Sequence, residues 1–159
     1  MAYEENGINM FCVQCKDWIA GDWSTHECPS EYWVVADKEM VGIVSKLNAM
    51  GITTLTAIWT TTELSDWVDY EYQITIKIDV GKRISEAVLG DLPSGWHYFW
   101  ETAPPIKVGM HMIAFVERWY NLGFESIGER IASEIKRFEE FLDEKDAEAV
   151  KALLLLTSY

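Results

Sequence analysis

Residues 70–80 read Tyr-Glu-Tyr-Gln-Ile-Thr-Ile-Lys-Ile-Asp-Val, apolar at every second position. Tyr70, Tyr72, Ile74, Ile76, Ile78 and Val80 share one face of the predicted strand; Glu71, Gln73, Thr75, Lys77 and Asp79 share the other. One packed face and one wet face is the pattern of an antiparallel sheet. Burying six such side chains is worth on the order of 10–15 kcal/mol before conformational entropy is subtracted.

Upstream, Met40, Val41, Val44 and Leu47 form a helical stripe, with Asp37 placed to cap it and Gly51 to end it. Ile52 to Trp59 is rich in β-branched residues and predicts a strand. The polar run from Thr60 to Asp69 then makes a long hairpin connection. After the central strand, Gly81 interrupts the alternation, and Lys82 to Leu89 predicts a short helix ended by Gly90. Pro93-Ser94-Gly95 is a turn, Trp96 to Trp100 a third strand, and Ile106 to Trp119 contains a fourth beyond Pro104-Pro105. In that fourth strand Met112, Ala114 and Val116 alternate with Ile113, Phe115 and Glu117, which predicts cover on both faces.

Asn121-Leu122-Gly123 is a further turn. Ser126 and Glu129 have the spacing of a capping box, opening a helix with Ile127, Ile131, Ile135, Phe138 and Leu142 on one stripe. Glu129, Arg130, Glu134, Lys136, Arg137, Glu139 and Glu140 are assigned to its solvated face. Asp146 caps a last helix whose Ala149, Val150, Leu153, Leu154 and Leu156 either enter the core or form an oligomer contact. The expected fold is α+β: an antiparallel sheet of about four strands, helices on one face, and a small N-terminal Cys/His knuckle. A chain of 159 residues forms one domain by prior, with 1–36 as the knuckle subregion and 37–159 as the core.

Composition narrows the roles. With 49% apolar residues the chain has the means to fold. Its net charge of −13, spread over both ends, disfavours direct binding to nucleic-acid phosphates or anionic lipid. Eight tryptophans either fill a small core or supply a contact surface. The opening Met-Ala-Tyr-Glu-Glu-Asn is acidic and not a signal peptide, so a cytoplasmic location is expected. An odd number of cysteines, three, fits a reducing compartment better than a disulfide framework.

All three cysteines lie near the N-terminus, as Cys12-Val-Gln-Cys15 and His26-Glu-Cys28. Cys12, Cys15, His26 and Cys28 supply the number and type of ligands that tetrahedral zinc requires. Over about 17 residues the arrangement resembles a small zinc ribbon or treble clef. It departs from that pattern in having His-x-Cys where Cys-x-x-Cys is usual, and one intervening residue strains the chelate. A structural zinc site is therefore weighed against three buried thiols without metal and against a redox Cys-x-x-Cys, which belongs at a helix N-terminus in a βαβ unit. If metal binds, Trp18, Trp23 and Trp33 are expected around the knuckle.

Other chemistry is sparse. There is no phosphate loop, nucleophile elbow or His-Glu-x-x-His, and Glu71 and Asp79 are too far apart to act as a carboxylate pair. His97 and His111, on neighbouring predicted strands, either meet as a site or serve as packing residues. The order Cys-x-x-Cys, a helix ending Leu47-Asn48-x-x-Gly51, a threonine-rich strand and Leu92-Pro93-Ser94-Gly95-Trp96 resembles small bacterial and phage proteins that carry no assigned function. In that group the strand often runs into Cys-x-Gly-His, where this chain has Ile58-Trp59-Thr60-Thr61. The expected role is a non-catalytic protein-interaction or regulatory protein with a protein partner. The alternatives are a small metal-dependent enzyme, an acidic nucleic-acid mimic bound to a basic partner, and a homo-oligomer joined through the C-terminal helix.

Overall fold

The computed structural model describes residues 3, 7–19, 23–64, 71–100, 110–120 and 126–157. It has strands β1 (Met10–Cys12), β2 (Asp17–Trp18), β3 (Trp33–Ala36), β4 (Thr54–Glu63), β5 (Glu71–Ile84), β6 (Trp96–Trp100) and β7 (Met110–Tyr120), with helices α1 (Val41–Ala49), α2 (Ile127–Asp143) and α3 (Ala147–Leu156). The strands form one seven-stranded sheet in the order β2-β1-β3-β4-β5-β7-β6. The fold is α+β, but the sheet is larger than the expected four strands. The N-terminal segment contributes three short strands of its own, and β3 joins β4 in parallel through α1, so the sheet is mixed.

The central alternation places Ile74, Ile76, Ile78 and Val80 in the core. Registers carry this packed face across the sheet: Ala57, Ile78, Ile113 and Tyr98 lie in one row, and Trp59, Ile76, Phe115 and Trp96 in the next. Helices α1 and α2 pack on this face and on each other, with Ile43, Val44, Leu47, Ile131, Ile135, Phe138 and Leu142 in the same cluster. The opposite face holds Thr75, Lys77 and Ala114, and Val116 there is 43% exposed. Cover on both faces of the fourth predicted strand is thus partial: on the second face Ala114 is buried and Met112 half-buried, whereas Val116 is exposed. Tyr70, the Pro104-Pro105 interruption and the Asn121–Gly123 turn lie outside the described residues, as does most of the β4–β5 connection; the bond from Leu64 N–H to Glu71 C=O closes that hairpin at 3.1 Å.

The local signals act as their chemistry dictates at three helix ends. Ser126 accepts the Glu129 N–H, and Asp146 accepts those of Glu148 and Ala149. At the end of α1, Gly51 N–H reaches Asn48 C=O and Ile52 N–H reaches Leu47 C=O, the paired bonds of a Schellman motif. Its left-handed residue is Gly51, at φ +85°. Gly81 does not end β5: the strand runs to Ile84, and only a short 3₁₀ turn, Glu86–Val88, stands where a helix was expected. Pairing with β7 slips between Asp79 and Ile84, so β5 takes five steps where β7 takes two, and the excess bulges outward.

Asp37 precedes a 3₁₀ turn leading into α1 and makes no side-chain cap bond. Its carboxylate instead accepts the Trp59 N–H at 2.8 Å, fixing the start of the crossover to β4. Burial raises its pKa, the Trp59 bond opposes that rise, and the Glu39 charge adds to it. A raised folded-state pKa gives stability that is complete below the unfolded value and is lost as pH rises through the folded one. Asp37→Asn, which keeps an acceptor for Trp59, should remove this loss and leave the protein at least as stable as wild type at pH 7. Urea midpoints of both proteins at acidic and neutral pH check this; a variant weaker at pH 7 by more than about 1 kcal/mol contradicts it.

At the C-terminal helix only Val150 is fully buried; Leu153 and Leu154 are half-buried, whereas Leu155 and Leu156 are 81% and 82% exposed. Of the two roles open to Leu156, entry into the core is therefore not realised. Among the described residues no helix is long and apolar enough to cross a membrane.

Candidate metal centre

The centre begins at the end of β1, where Cys12 is fully buried opposite Trp33 of β3. The chain then turns: Lys16 N–H returns to Cys12 C=O at 2.8 Å, and Lys16 adopts φ 59°, the left-handed region. This tight turn brings Cys15 back beside Cys12. The second pair arrives on an irregular segment held from behind by Trp33, whose indole N–H donates to Cys28 C=O at 3.0 Å. The same tryptophan lies edge-on to the His26 ring, with centroids 5.7 Å apart.

These supports bring Cys12, Cys15, His26 and Cys28 together. Their ligand atoms all lie within 4.8 Å of one another, close enough to hold a metal ion, and no disulfide joins the thiols. Cys15 Sγ stands 3.8 Å from His26 Nε2. Tetrahedral zinc with bonds near 2.0–2.3 Å places its ligands about 3.5–3.8 Å apart, so the cluster needs only a small contraction. The His-x-Cys spacing does not prevent convergence, because residues 26–28 are not in a strand and their side chains need not point along an extended backbone.

The thiols differ electrostatically. For Cys12, burial favours the neutral thiol, but hydrogen bonds from the Cys15 and Gln14 backbone and from His26 outweigh it and bring the pKa down to about 7. Cys28 is pushed up to about 11 by burial and by its neighbours Cys12 and Cys15. Ionised Cys12 thus opposes ionisation of Cys28 unless a cation lies between them.

Of the expected tryptophan cluster, Trp33 meets the centre through its side chain, and Trp23 through its backbone C=O, which accepts the His26 N–H at 3.2 Å. Trp18 packs on Phe11 with centroids 5.2 Å apart, and Trp23 is 39% exposed. The residue types and spacing of the four ligands are readable in sequence; the roles of Trp33, Lys16 and the Gln14 and Cys15 amides are not, since each depends on backbone placement. His97 pairs in register with Ala114, three positions from His111 along β7, a separation of about 10 Å, so the two do not form a site. Compared with protein-family models, curated proteins and solved structures, the chain matches none.

Proposed function

We propose that Cys12, Cys15, His26 and Cys28 bind one structural zinc ion, and that the protein is a non-catalytic interaction protein whose N-terminal segment this ion holds against the sheet. The convergence of four nitrogen and sulfur ligands carries the reading. Four protein ligands leave no open position for water or substrate, which favours a structural over a catalytic site. Zinc suits three sulfurs and one imidazole better than the harder divalent cations do. The ion would tie the β1–β2 turn to the segment before β3, and its loss would loosen both. The acidic surface and exposed aromatics such as Trp23 and Phe99 suit a protein partner.

Metal analysis of protein purified without chelators, paired with a thiol count, tests this. The expected result is one equivalent of zinc, with thiols that react only after the metal is removed, and cobalt substitution giving the visible bands of a tetrahedral thiolate site. Metal-free protein with three freely reactive thiols, unable to take up zinc, overturns it. Cys15→Ser should lower zinc affinity by at least about tenfold while leaving the α1–α2 core folded, because Cys15 is exposed and outside that core.

A further inference from the structure

The bulge in β5 has a chemical consequence away from the Cys/His centre. The extruded residues Lys82 and Arg83 stand over a cavity of about 320 Å³ between the end of α1, β5 and the last turns of α3. Ile52, Ile84 and Leu154 supply apolar wall, and Lys151 adds a third cation. No Asp or Glu lines this cavity among the described residues, although the chain has 26 acidic residues against 13 basic ones. The cavity is within the range of small-molecule sites, roughly 300–1,000 Å³.

The geometry points to this cavity as a binding site for a small anionic amphiphile, with an aliphatic body between Ile52, Ile84 and Leu154 and a carboxylate among Lys82, Arg83 and Lys151. The net charge of −13 does not oppose this. Charges farther than about 8 Å are largely screened at physiological salt, so the field at the mouth is set by the groups close to it, three cations against the exposed Glu148 carboxylate beside Lys151. Lys151 also pairs with Glu148 at 3.2 Å, but both ends of that pair are well exposed and it competes weakly with a ligand carboxylate. Arg83 brings planar donors suited to a carboxylate, and Lys82 a mobile point charge.

Octanoate is the probe, titrated into the full chain below its micellar concentration and followed by NMR amide shifts. Saturable binding is expected, with shifts centred on Ile52, Ile84 and Leu154. Affinity should fall about fourfold for each methylene removed on passing to hexanoate and butanoate, the factor that about 0.8 kcal/mol per methylene implies. Octylammonium should bind at least about tenfold more weakly than octanoate. The double variant Lys82→Glu, Arg83→Glu should lose at least about tenfold in octanoate affinity; both residues are exposed, so the fold should persist. Equal binding of octanoate and octylammonium overturns the proposal, as do wild-type affinity in a folded double variant and the absence of saturable binding. None of these readings depends on whether the Cys/His centre holds zinc.

Discussion

Phe138→Ala is expected to destabilise the protein by about 4 kcal/mol, within the range for truncating a buried phenylalanine. Phe138 is fully buried on α2, its ring 4.3 Å from that of Trp96 on β6 and 5.5 Å from that of Phe141. It fills the space where the helix meets the sheet, and Trp96 cannot relax into the gap because its indole N–H is already committed. For a chain of this length the change corresponds to a fall in Tm of about 8–16 °C. Denaturant unfolding should show a lower midpoint with an unchanged slope. A loss below about 1 kcal/mol would mean that α2 does not pack on the sheet through this ring.

Glu134→Leu is the second large effect, at about 3 kcal/mol, the lower end of the cost of breaking a buried ion pair. Glu134 is 2% exposed. One carboxylate oxygen accepts the Trp96 indole N–H at 3.1 Å and two Arg137 donors at 2.9 and 2.6 Å; the other meets Arg130 at 2.9 Å. Removal strands the Trp96 donor and takes one buried carboxylate partner from each of two arginines. The cost stays below the maximum because Arg130 keeps both of its bonds to Glu117 and Arg137 keeps the Ser94 carbonyl. Glu134→Gln retains an acceptor and should cost about 1.5 kcal/mol. Thermal unfolding of both variants checks the order; a Gln variant weaker than the Leu variant would show that shape, not charge, governs the position.

Glu134 also marks the limit of what sequence reveals. The spacing Ile131, Glu134, Phe138 is i, i+3, i+7, so the residue falls on the apolar stripe, yet a glutamate between two arginines reads as a solvated face. Its burial depends on Trp96, 38 positions away in the chain and invisible to helical periodicity. The caps at Ser126, Asp146 and Gly51 are legible because each is completed within a few residues. The β5 alternation is legible because it persists long enough to establish a period.

The N-terminal strands are not legible. Strands β1, β2 and β3 span three, two and four residues, too short for any period, and the parallel union of β3 with β4 is a long-range pairing. Gly81 reads as a break because glycine ends many strands; here it sits in a bulge, with its N–H bonded to Thr53 C=O at 2.7 Å. Of the Cys/His centre, the sequence discloses the ligand set. The left-handed Lys16 and the Trp33 brace, which make the spacing work, come from the folded backbone.

The strand order bears on how copies of the chain meet in a crowded solution. The longest strand lies inside: β5 is paired with β4 from Tyr72 to Val80 and with β7 from Glu71 to Asp79. The borders fall to β2 and β6, of two and five residues, and to the far ends of β4 and β7, because β3 pairs with β4 only at Thr56 and Ala57 and β6 with β7 only from Met110 to Phe115. Among the described residues each open border is broken into lengths of about six residues or fewer, which offers few unsatisfied backbone groups for another chain to zip onto, and natural sheets use brevity there to resist runaway association. The aliphatic run of β5, rich in isoleucine and the segment best suited to such stacking, is held at the centre, where only global unfolding would release it.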